Sequence, residues 1–94
     1  MKIRNFRHKG LEAFSKKGVL RGIMPSHAAR LRTCLSILEN AETEQELSRE
    51  AHLMTQGSKL SGFWAMKISA QWRLIFNIDD MGDCCNLDYL NYHH

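Results

Sequence analysis

Two segments in the last third of the sequence carry side chains that could act on a phosphate group. Trp72-Arg73 opens an apolar stretch, and Asn91–His94 closes the chain with the sequence Asn-Tyr-His-His. An arginine can bind a phosphate through two parallel hydrogen bonds, and tyrosine and histidine side chains can transfer protons. Because a chain end usually frays and tolerates change, this concentration of polar and aromatic groups favours a functional site over a simple tail.

Strand pairing would place Arg73 beside a second cation. Apolar residues alternate in Phe63–Ser69 and again in Trp72–Ile78, which predicts two antiparallel strands joined by a three-residue turn. On one face this register pairs Ile68 with Trp72, Met66 with Leu74 and Trp64 with Phe76. On the other face it places Lys67 directly opposite Arg73. Like charges in this position destabilise a pair of strands, so we expect an anion such as phosphate to bind between them.

Two helices are predicted before these strands. Gly10–Lys17 has apolar residues at helical spacing and is followed by Gly18, a common helix terminator. A longer helix begins at Pro25-Ser26, where the Ser26 hydroxyl can cap the first turn, and ends near Ala41. The inward stripe of this second helix comprises Ala28, Leu31, Leu35 and Leu38.

Two further strands complete the expected sheet. Lys2–Arg7 alternates like a short strand, and Cys84–Leu90 follows a turn at residues 79–83. Residues 42–46 are expected to form an acidic connector, with Leu47 as its anchor. The sequence therefore predicts a single α+β domain over residues 1–94. In it a small antiparallel-rich sheet of about four strands has two helices from the N-terminal half on one face and an open, cationic opposite face.

Charge is distributed unevenly along a chain whose net charge is +3. Residues 1–32 hold nine lysines and arginines against one acid, whereas residues 33–94 hold four against nine acids. The basic third, which includes Arg7 and Lys9, favours a polyanionic partner, although a solvated helix face is the alternative. No apolar run is long enough for a membrane span, no signal peptide is evident, and three cysteines suit a reducing compartment. We therefore expect a cytoplasmic protein.

The open face has the groups needed to cleave RNA through its own 2′-hydroxyl. That reaction needs a base, an acid and cations that stabilise the phosphorane, and it requires no metal or other cofactor. Arg73 and Lys67 would supply the charge, and His52, Tyr92 and His93 are candidates for proton transfer. The alternatives are that the terminal histidine is inert and that Tyr92 only packs against the sheet edge. Trp64, Trp72 and Phe76 are assigned to the core, and His8 and His27 receive no function.

Segments along the whole chain resemble the HigB branch of the RelE superfamily, the toxins of bacterial type II toxin–antitoxin pairs. The matching residues are Ile3–Glu12, Ala28–Leu31 with Leu35, Leu38 and Ala41, then Leu47, His52, Gly57, Gly62–Trp64, Gln71–Phe76 and Tyr92-His93. This resemblance implies a RelE-like fold and a ribosome-dependent mRNA endoribonuclease that inhibits translation and growth. It also implies a HigA-like helix-turn-helix antitoxin as partner, besides the ribosome and mRNA.

The resemblance also assigns roles to particular residues. Arg73 matches the catalytic arginine of the family, and three further residues match its catalytic positions: His52, Tyr92 and His93. The expected contacts with RNA are Lys67, Lys59, Asn91, Lys9 and Arg7.

Two positions depart from the family pattern. Asn91 stands where the family has an aspartate, and Gln56 stands where it has a lysine. We expect Lys59 or Lys67 to replace the missing ammonium group. Two alternatives stay open: a catalytically weakened member that binds the ribosome or the antitoxin, and a ribosome-independent RNase that uses His52 and His93.

Overall fold

The structure is a computed structural model that describes residues 1–54 and 59–92. Within these ranges the α-helices are α1 (Lys9–Lys17), α2 (Ala28–Asn40) and α3 (Glu44–Leu47), and a 3-10 helix at Pro25–His27 leads into α2. The strands are β1 (His52–Leu53), β2 (Trp64–Lys67), β3 (Trp72–Ile78) and β4 (Cys84–Asn91). Among the described residues, no helix is both long and apolar enough to cross a membrane.

The strands form one antiparallel sheet in the order β1-β2-β3-β4. The predicted register of its central pair is confirmed, since the structure pairs Lys67 with Arg73, Met66 with Leu74 and Trp64 with Phe76. The turn between them also has the predicted length, because the Ile68 N–H donates to the Trp72 carbonyl at 2.9 Å. The α+β class and the sheet of four strands are confirmed as well.

Helices α1 and α2 cover one face of this sheet, as predicted. The shared core contains Leu11 and Phe14 from α1, Leu31, Cys34, Leu35 and Leu38 from α2, and Met66, Leu74, Phe76 and Leu87 from the strands. Phe76 is fully buried, whereas Trp64 and Trp72 are half-buried and pack against this core. Each fully buried leucine or phenylalanine contributes roughly 1.5–3 kcal/mol through removal of apolar surface from water.

The N-terminal segment does not form the predicted strand Lys2–Arg7. It contacts β4 through two isolated parallel bridges, Ile3 with Cys84 and Phe6 with Leu87. A regular ladder is interrupted between them because Asn86 has a φ of 56°, in the left-handed region that strands do not use. The fourth strand of the sheet is β1, on the opposite edge.

The helix termini follow the sequence in part. Gly18 ends α1 with a φ of 70°, as predicted, and the His8 Nδ1 caps its start by accepting from the Leu11 N–H at 3.0 Å. The predicted cap at Ser26 is wrong, because Pro25–His27 forms the 3-10 helix and no side chain caps α2. A proline at the first position favours this tight turn and moves the start of α2 to Ala28.

The acidic connector is also partly helical, which corrects the prediction for residues 42–46. The Thr43 hydroxyl accepts from the Glu46 N–H at 3.1 Å, and the Glu46 carboxylate accepts from the Glu42 N–H at 3.0 Å. The carboxylate accepts from the residue before the N-cap Thr43, so this pair is a variant of the capping box that satisfies backbone donors at the start of α3. Leu47 is fully buried, so its prediction as the anchor of this segment is confirmed.

Candidate active site

The sheet face opposite the helices carries most of the candidate residues, and we call it the outer face. Strand register aligns one row across all four strands, namely His52, Ala65, Ile75 and Asp88. A second row contains Lys67, Arg73 and Leu90. The prediction of an open face is wrong at its centre, because Ala65 and Ile75 are each 1% exposed without belonging to the helix-side core.

Arg73 is fixed at the hairpin turn between β2 and β3. Its Nη1 donates to the carbonyl oxygens of Ser69 at 2.8 Å and Trp72 at 3.0 Å, with a longer contact of 3.4 Å to Ala70. The half-buried guanidinium therefore has a defined orientation before any ligand binds. One nitrogen is held by the protein, and the remaining donors can bind a phosphate bidentately.

Three cations meet at this end of the sheet. Lys67 is exposed opposite Arg73, and Arg30 reaches from α2 to donate from Nε to the Lys67 carbonyl at 2.9 Å. Within the described part of the chain, none of the three lies within ion-pair distance of a carboxylate. Arg30 was not among the site residues predicted from the sequence, where its position off the buried stripe of α2 was the only indication.

The structure brings Tyr92 to the same end of the sheet. The Tyr92 N–H donates to the Gln71 carbonyl at 2.6 Å, which ties the end of β4 to the start of β3. Alternation along β4 puts Asp88, Leu90 and Tyr92 on one face, the face of Arg73. Tyr92 is half-buried there.

Other predicted residues lie farther from Arg73. His52 is exposed on β1, and β2 lies between β1 and β3. The backbones of β1 and β3 are therefore about 10 Å apart. Asn91 is exposed and opposite Trp72, which places it on the face away from Arg73. Lys59 is exposed in the turn before β2, and Lys9 is exposed at the start of α1. The remaining predicted site residue, His93, and the departures near Gln56 and Gly57 lie outside the described residues.

An aromatic cluster that includes Trp72, the neighbour of Arg73, packs on the helix side of the sheet. Trp72 stacks on Tyr89 with ring centroids 4.6 Å apart, and His27 Nδ1 hydrogen-bonds to the Tyr89 hydroxyl. Burial raises the pKa of Tyr89, and a hydrogen bond from the backbone at Met24 partly opposes that rise. His27, to which the sequence assigned no function, therefore has a structural role beneath the start of β3.

The far end of the outer face carries a further cation, Arg7. The Arg7 N–H donates to the carbonyl of Leu87 in β4 at 2.7 Å, and the Arg7 guanidinium lies 5.8 Å from the centroid of the Phe63 ring. Phe63 directly precedes β2, whereas Arg7 lies beside β4. The Arg7 side chain therefore crosses β4 and β3 to reach the Phe63 ring. No group of three or more His, Cys, Asp or Glu side chains with the arrangement of a metal site occurs in residues 1–54 and 59–92.

Comparison with known proteins agrees with this fold. The model of the HigB-like toxin family, described as a RelE-like toxin of the type II toxin–antitoxin system HigB, matches residues 4–93. The chain belongs to this family. It is 31% identical over 93 residues to Endoribonuclease HigB of Proteus vulgaris, which covers 97% of this chain and 99% of that protein. The solved YoeB/ParE toxin from Agrobacterium tumefaciens aligns over all of both chains with a TM-score of 0.50 and 12% identity, which shows the fold alone.

This HigB-like toxin also has a carboxylate on the outer face that was not predicted from the sequence. Asp88 is half-buried opposite Ile75, diagonal to Arg73 on the outer face, and its Oδ1 accepts from the Tyr89 N–H at 2.9 Å. Diagonal neighbours on one sheet face are within reach of long side chains. An acid therefore lies on the cationic face, although the residue before Tyr92 is an amide.

Proposed function

We propose that this HigB-like toxin is a ribosome-dependent endoribonuclease that cleaves mRNA and thereby inhibits translation and growth. The observation that carries the proposal is the pairing of Lys67 with an Arg73 whose guanidinium the hairpin carbonyls already orient. Two cations side by side, with no carboxylate at ion-pair distance among the described residues, favour a bound phosphate. The endoribonuclease name of the Proteus vulgaris relative supports the same activity.

Cleavage proceeds by attack of the 2′-hydroxyl on the adjacent phosphorus. A base removes the hydroxyl proton, the bond from phosphorus to the 5′-oxygen breaks, and an acid protonates the departing oxygen. The products are a 2′,3′-cyclic phosphate and a 5′-hydroxyl, so atoms and protons balance without an added nucleophile. Arg73 and Lys67 stabilise the charge that develops on the equatorial oxygens.

Proton transfer is assigned to groups around this phosphate site. We infer roles for Tyr92, His93 and His52, as the family resemblance implies, and add Asp88 as a candidate base on the outer face. Tyr92 and Asp88 share that face with Arg73, and a tyrosine there can also stack on an unpaired base. Lys59, Asn91, Lys9 and Arg7 are proposed contacts with RNA.

The macromolecular partners follow from the family and from charge. Ribosomal RNA and mRNA are dense polyanions that complement the basic N-terminal third. A HigA-like helix-turn-helix antitoxin is the proposed neutralising partner, and the cytoplasm is the compartment in which all three meet. The family's place in a type II toxin–antitoxin system supports the antitoxin assignment.

Controlled expression in bacteria tests this function. The wild-type chain should arrest growth, and Arg73→Ala should relieve the arrest at equal protein level. Arg49→Ala, which removes an exposed cation outside the site, is the matched control and should still arrest growth. Confirmed expression of folded wild-type protein with normal growth would overturn the proposal.

Purified protein separates the possible modes of action. Ribosomes programmed with mRNA should lose intact mRNA, and naked mRNA should stay intact under the same conditions. Cleavage of naked RNA that depends on His52 would instead indicate a ribosome-independent nuclease. Ribosome binding without cleavage would indicate a catalytically weakened member, and either result would refute the proposed ribosome-dependent cleavage.

A further inference from the structure

Arg7 and Phe63 lie at the opposite end of the outer face from the phosphate site. We propose that they form a second nucleotide-binding subsite, which takes a base and phosphate neighbouring the scissile phosphate of single-stranded RNA. This inference rests on the proposed function and adds to it a place where a flanking nucleotide is bound. The subsite assigns Phe63 a role that family resemblance did not give it.

The position of the subsite follows from strand register. Trp64 lies opposite Phe76, so the preceding Phe63 lies beside Asn77, four residues along β3 from Arg73. At about 3.3 Å per residue the two places are about 13 Å apart. A single phosphate cannot contact both, and Arg7 would therefore meet a neighbouring nucleotide rather than the scissile one.

A chain of amide hydrogen bonds crosses the sheet beneath this subsite. The Asn5 Nδ2 donates to Asn86 Oδ1 at 3.1 Å, and the Asn86 N–H donates back to Asn5 Oδ1 at 3.0 Å. Asn86 Nδ2 then donates to Asn77 Oδ1 at 3.0 Å, and Asn77 Nδ2 donates to the Gly62 carbonyl at 3.2 Å. These bonds connect the N-terminal segment to the residue before Phe63. The amides bind one another, so they act as positioning residues and leave recognition to Arg7 and Phe63.

The chemistry of the pair suits a nucleotide. A guanidinium that lies over an aromatic ring covers one of its faces and leaves the other face for a base, while its edge donates to phosphate oxygens. Arg7 is exposed, and within the described ranges no carboxylate lies at ion-pair distance from it. Aromatic and arginine platforms of this kind bind single-stranded nucleic acid with little dependence on base identity.

RNA fits this site better than an acidic protein segment does. The subsite shares one sheet face with Lys67, Arg73 and Tyr92, so a single extended strand can contact all of them. An acidic peptide would use the charge of Arg7 and leave the second face of the Phe63 ring without a stacking partner. Binding of the antitoxin at this position is therefore an outcome that the experiment distinguishes.

The test measures RNA binding separately from cleavage. A short fluorescent single-stranded RNA is titrated with the Arg73→Ala protein, in which cleavage is suppressed, and with the same protein carrying Arg7→Gln or Phe63→Leu. Each added change should weaken binding about 5- to 100-fold, the range of one stacked base. Phe63→Tyr keeps an aromatic ring and should restore most of the binding, which also reports that the domain is folded.

The chain contains a matched control for Arg7. The Arg32 guanidinium lies 5.1 Å from the centroid of the Phe14 ring on the helix side of the molecule, and Arg32→Gln removes the same charge from the same kind of pair. This variant should bind RNA within about twofold of its parent, because its pair is remote from the outer face. Equal losses from Arg7→Gln and Arg32→Gln would show a general charge effect and overturn the subsite.

Cleavage of ribosome-bound mRNA identifies which nucleotide occupies the subsite. In the otherwise wild-type chain, Arg7→Gln should raise the half-saturating toxin concentration and leave the maximal rate within about threefold, as expected for loss of a binding contact. One abasic nucleotide next to the cleavage site should abolish the difference between Phe63→Leu and wild type, because the ring of Phe63 would then have no base to stack on.

The outcomes distinguish the two proposals. A wild-type chain that does not cleave refutes the endoribonuclease function, whereas RNA binding by Arg7→Gln and Phe63→Leu at parental affinity refutes the subsite alone. A loss of antitoxin binding with unchanged RNA binding would also refute the subsite.

Discussion

Lys67 lies directly opposite Arg73 on the outer face, and Arg73 donates through Nη1 to the carbonyl oxygen of Ser69 at 2.8 Å. The turn therefore fixes the guanidinium next to an ammonium that repels it. Fold stability alone would favour a neutral or acidic residue at position 67. A site that keeps this repulsion until an anion binds exchanges some stability for function.

Lys67→Gln should stabilise the fold and weaken activity. Removal of one of two like charges should raise the free energy of unfolding by a few tenths of a kcal/mol, because Lys67 is exposed and solvent screens the repulsion. The gain should shrink as salt is added. Urea unfolding at low and high salt, together with the rate of mRNA cleavage on ribosomes, measures both effects.

Lys17→Gln is the control for that change. Lys17 lies in the last turn of α1, where a cation favours the helix dipole. The same loss of charge should therefore leave stability unchanged or slightly lower, with activity retained. A Lys67→Gln protein that is both less stable and fully active would contradict the phosphate site.

Asp88→Asn should slow cleavage strongly and leave the fold intact. A carboxylate that removes the 2′-hydroxyl proton contributes roughly 10²- to 10⁴-fold to the rate, and the amide cannot take its place. Single-turnover cleavage on programmed ribosomes measures the loss, and thermal unfolding checks that the fold is retained. A fully active Asp88→Asn protein would exclude the residue as a base.

The position of Asn91 supplies a matched comparison. Asn91 lies opposite Trp72, on the face away from Arg73, so Asn91→Asp should not restore cleavage to the Asp88→Asn protein. Recovery of the rate in the double variant would show that a carboxylate next to Tyr92 can act as the base. The base would then not need to lie on the outer face.

The sequence predicted those parts of the site that depend on local alternation. Period-two patterning in residues 63–78 defines the central register, and this register places Lys67 beside Arg73. Asp88 could not be placed in the same way, because β3 and β4 shift register between Ile75 and Asn77. Without that bulge, pairing counted from the hairpin turn would put Asp88 opposite Leu74 on the core face.

Contacts between remote segments also could not be predicted from the sequence. Arg7 meets the Phe63 ring only because the N-terminal segment runs beside β4 and its side chain crosses two strands. Similarly, Arg30 joins the cationic end of the sheet through the backbone carbonyl of Lys67. Such contacts depend on tertiary packing, whereas charge counts along the chain identified only that the N-terminal third is basic.

Asn86→Ala should destabilise the fold by about 2–3 kcal/mol. Its φ of 56° costs an alanine about 1–2 kcal/mol, and the lost hydrogen bonds with Asn5 and Asn77 cost about 1 kcal/mol each at most. Asn86→Gly relieves the backbone strain but still loses the side-chain hydrogen bonds. It should therefore be about 1 kcal/mol more stable than Asn86→Ala. Urea denaturation of both variants measures the difference. Equal stability of the two would show that backbone strain at this position is not important.

Alkaline pH should destabilise the fold through Cys84. Burial raises the pKa of the Cys84 thiol from its ordinary value of 9.0 to about 11. Between these values the unfolded thiol has lost its proton and the folded thiol has kept it, so the unfolded state binds fewer protons. The free energy of unfolding therefore falls as pH rises from about 9 to about 11, by about 2–3 kcal/mol in total, and does not change through this group below pH 9.

Cys84→Ala should flatten this part of the stability curve. Its free energy of unfolding should be lower at neutral pH, because the side chain it replaces is fully buried, yet it should fall less between pH 9 and 11. The variant should keep a smaller slope above pH 10, since burial also raises the pKa of Tyr89. Cys85→Ala is the control and should keep most of the wild-type slope, because Cys84 remains. Urea unfolding at a series of pH values gives these slopes, and parallel curves for wild type and Cys84→Ala would refute the assignment of the alkaline loss to this thiol.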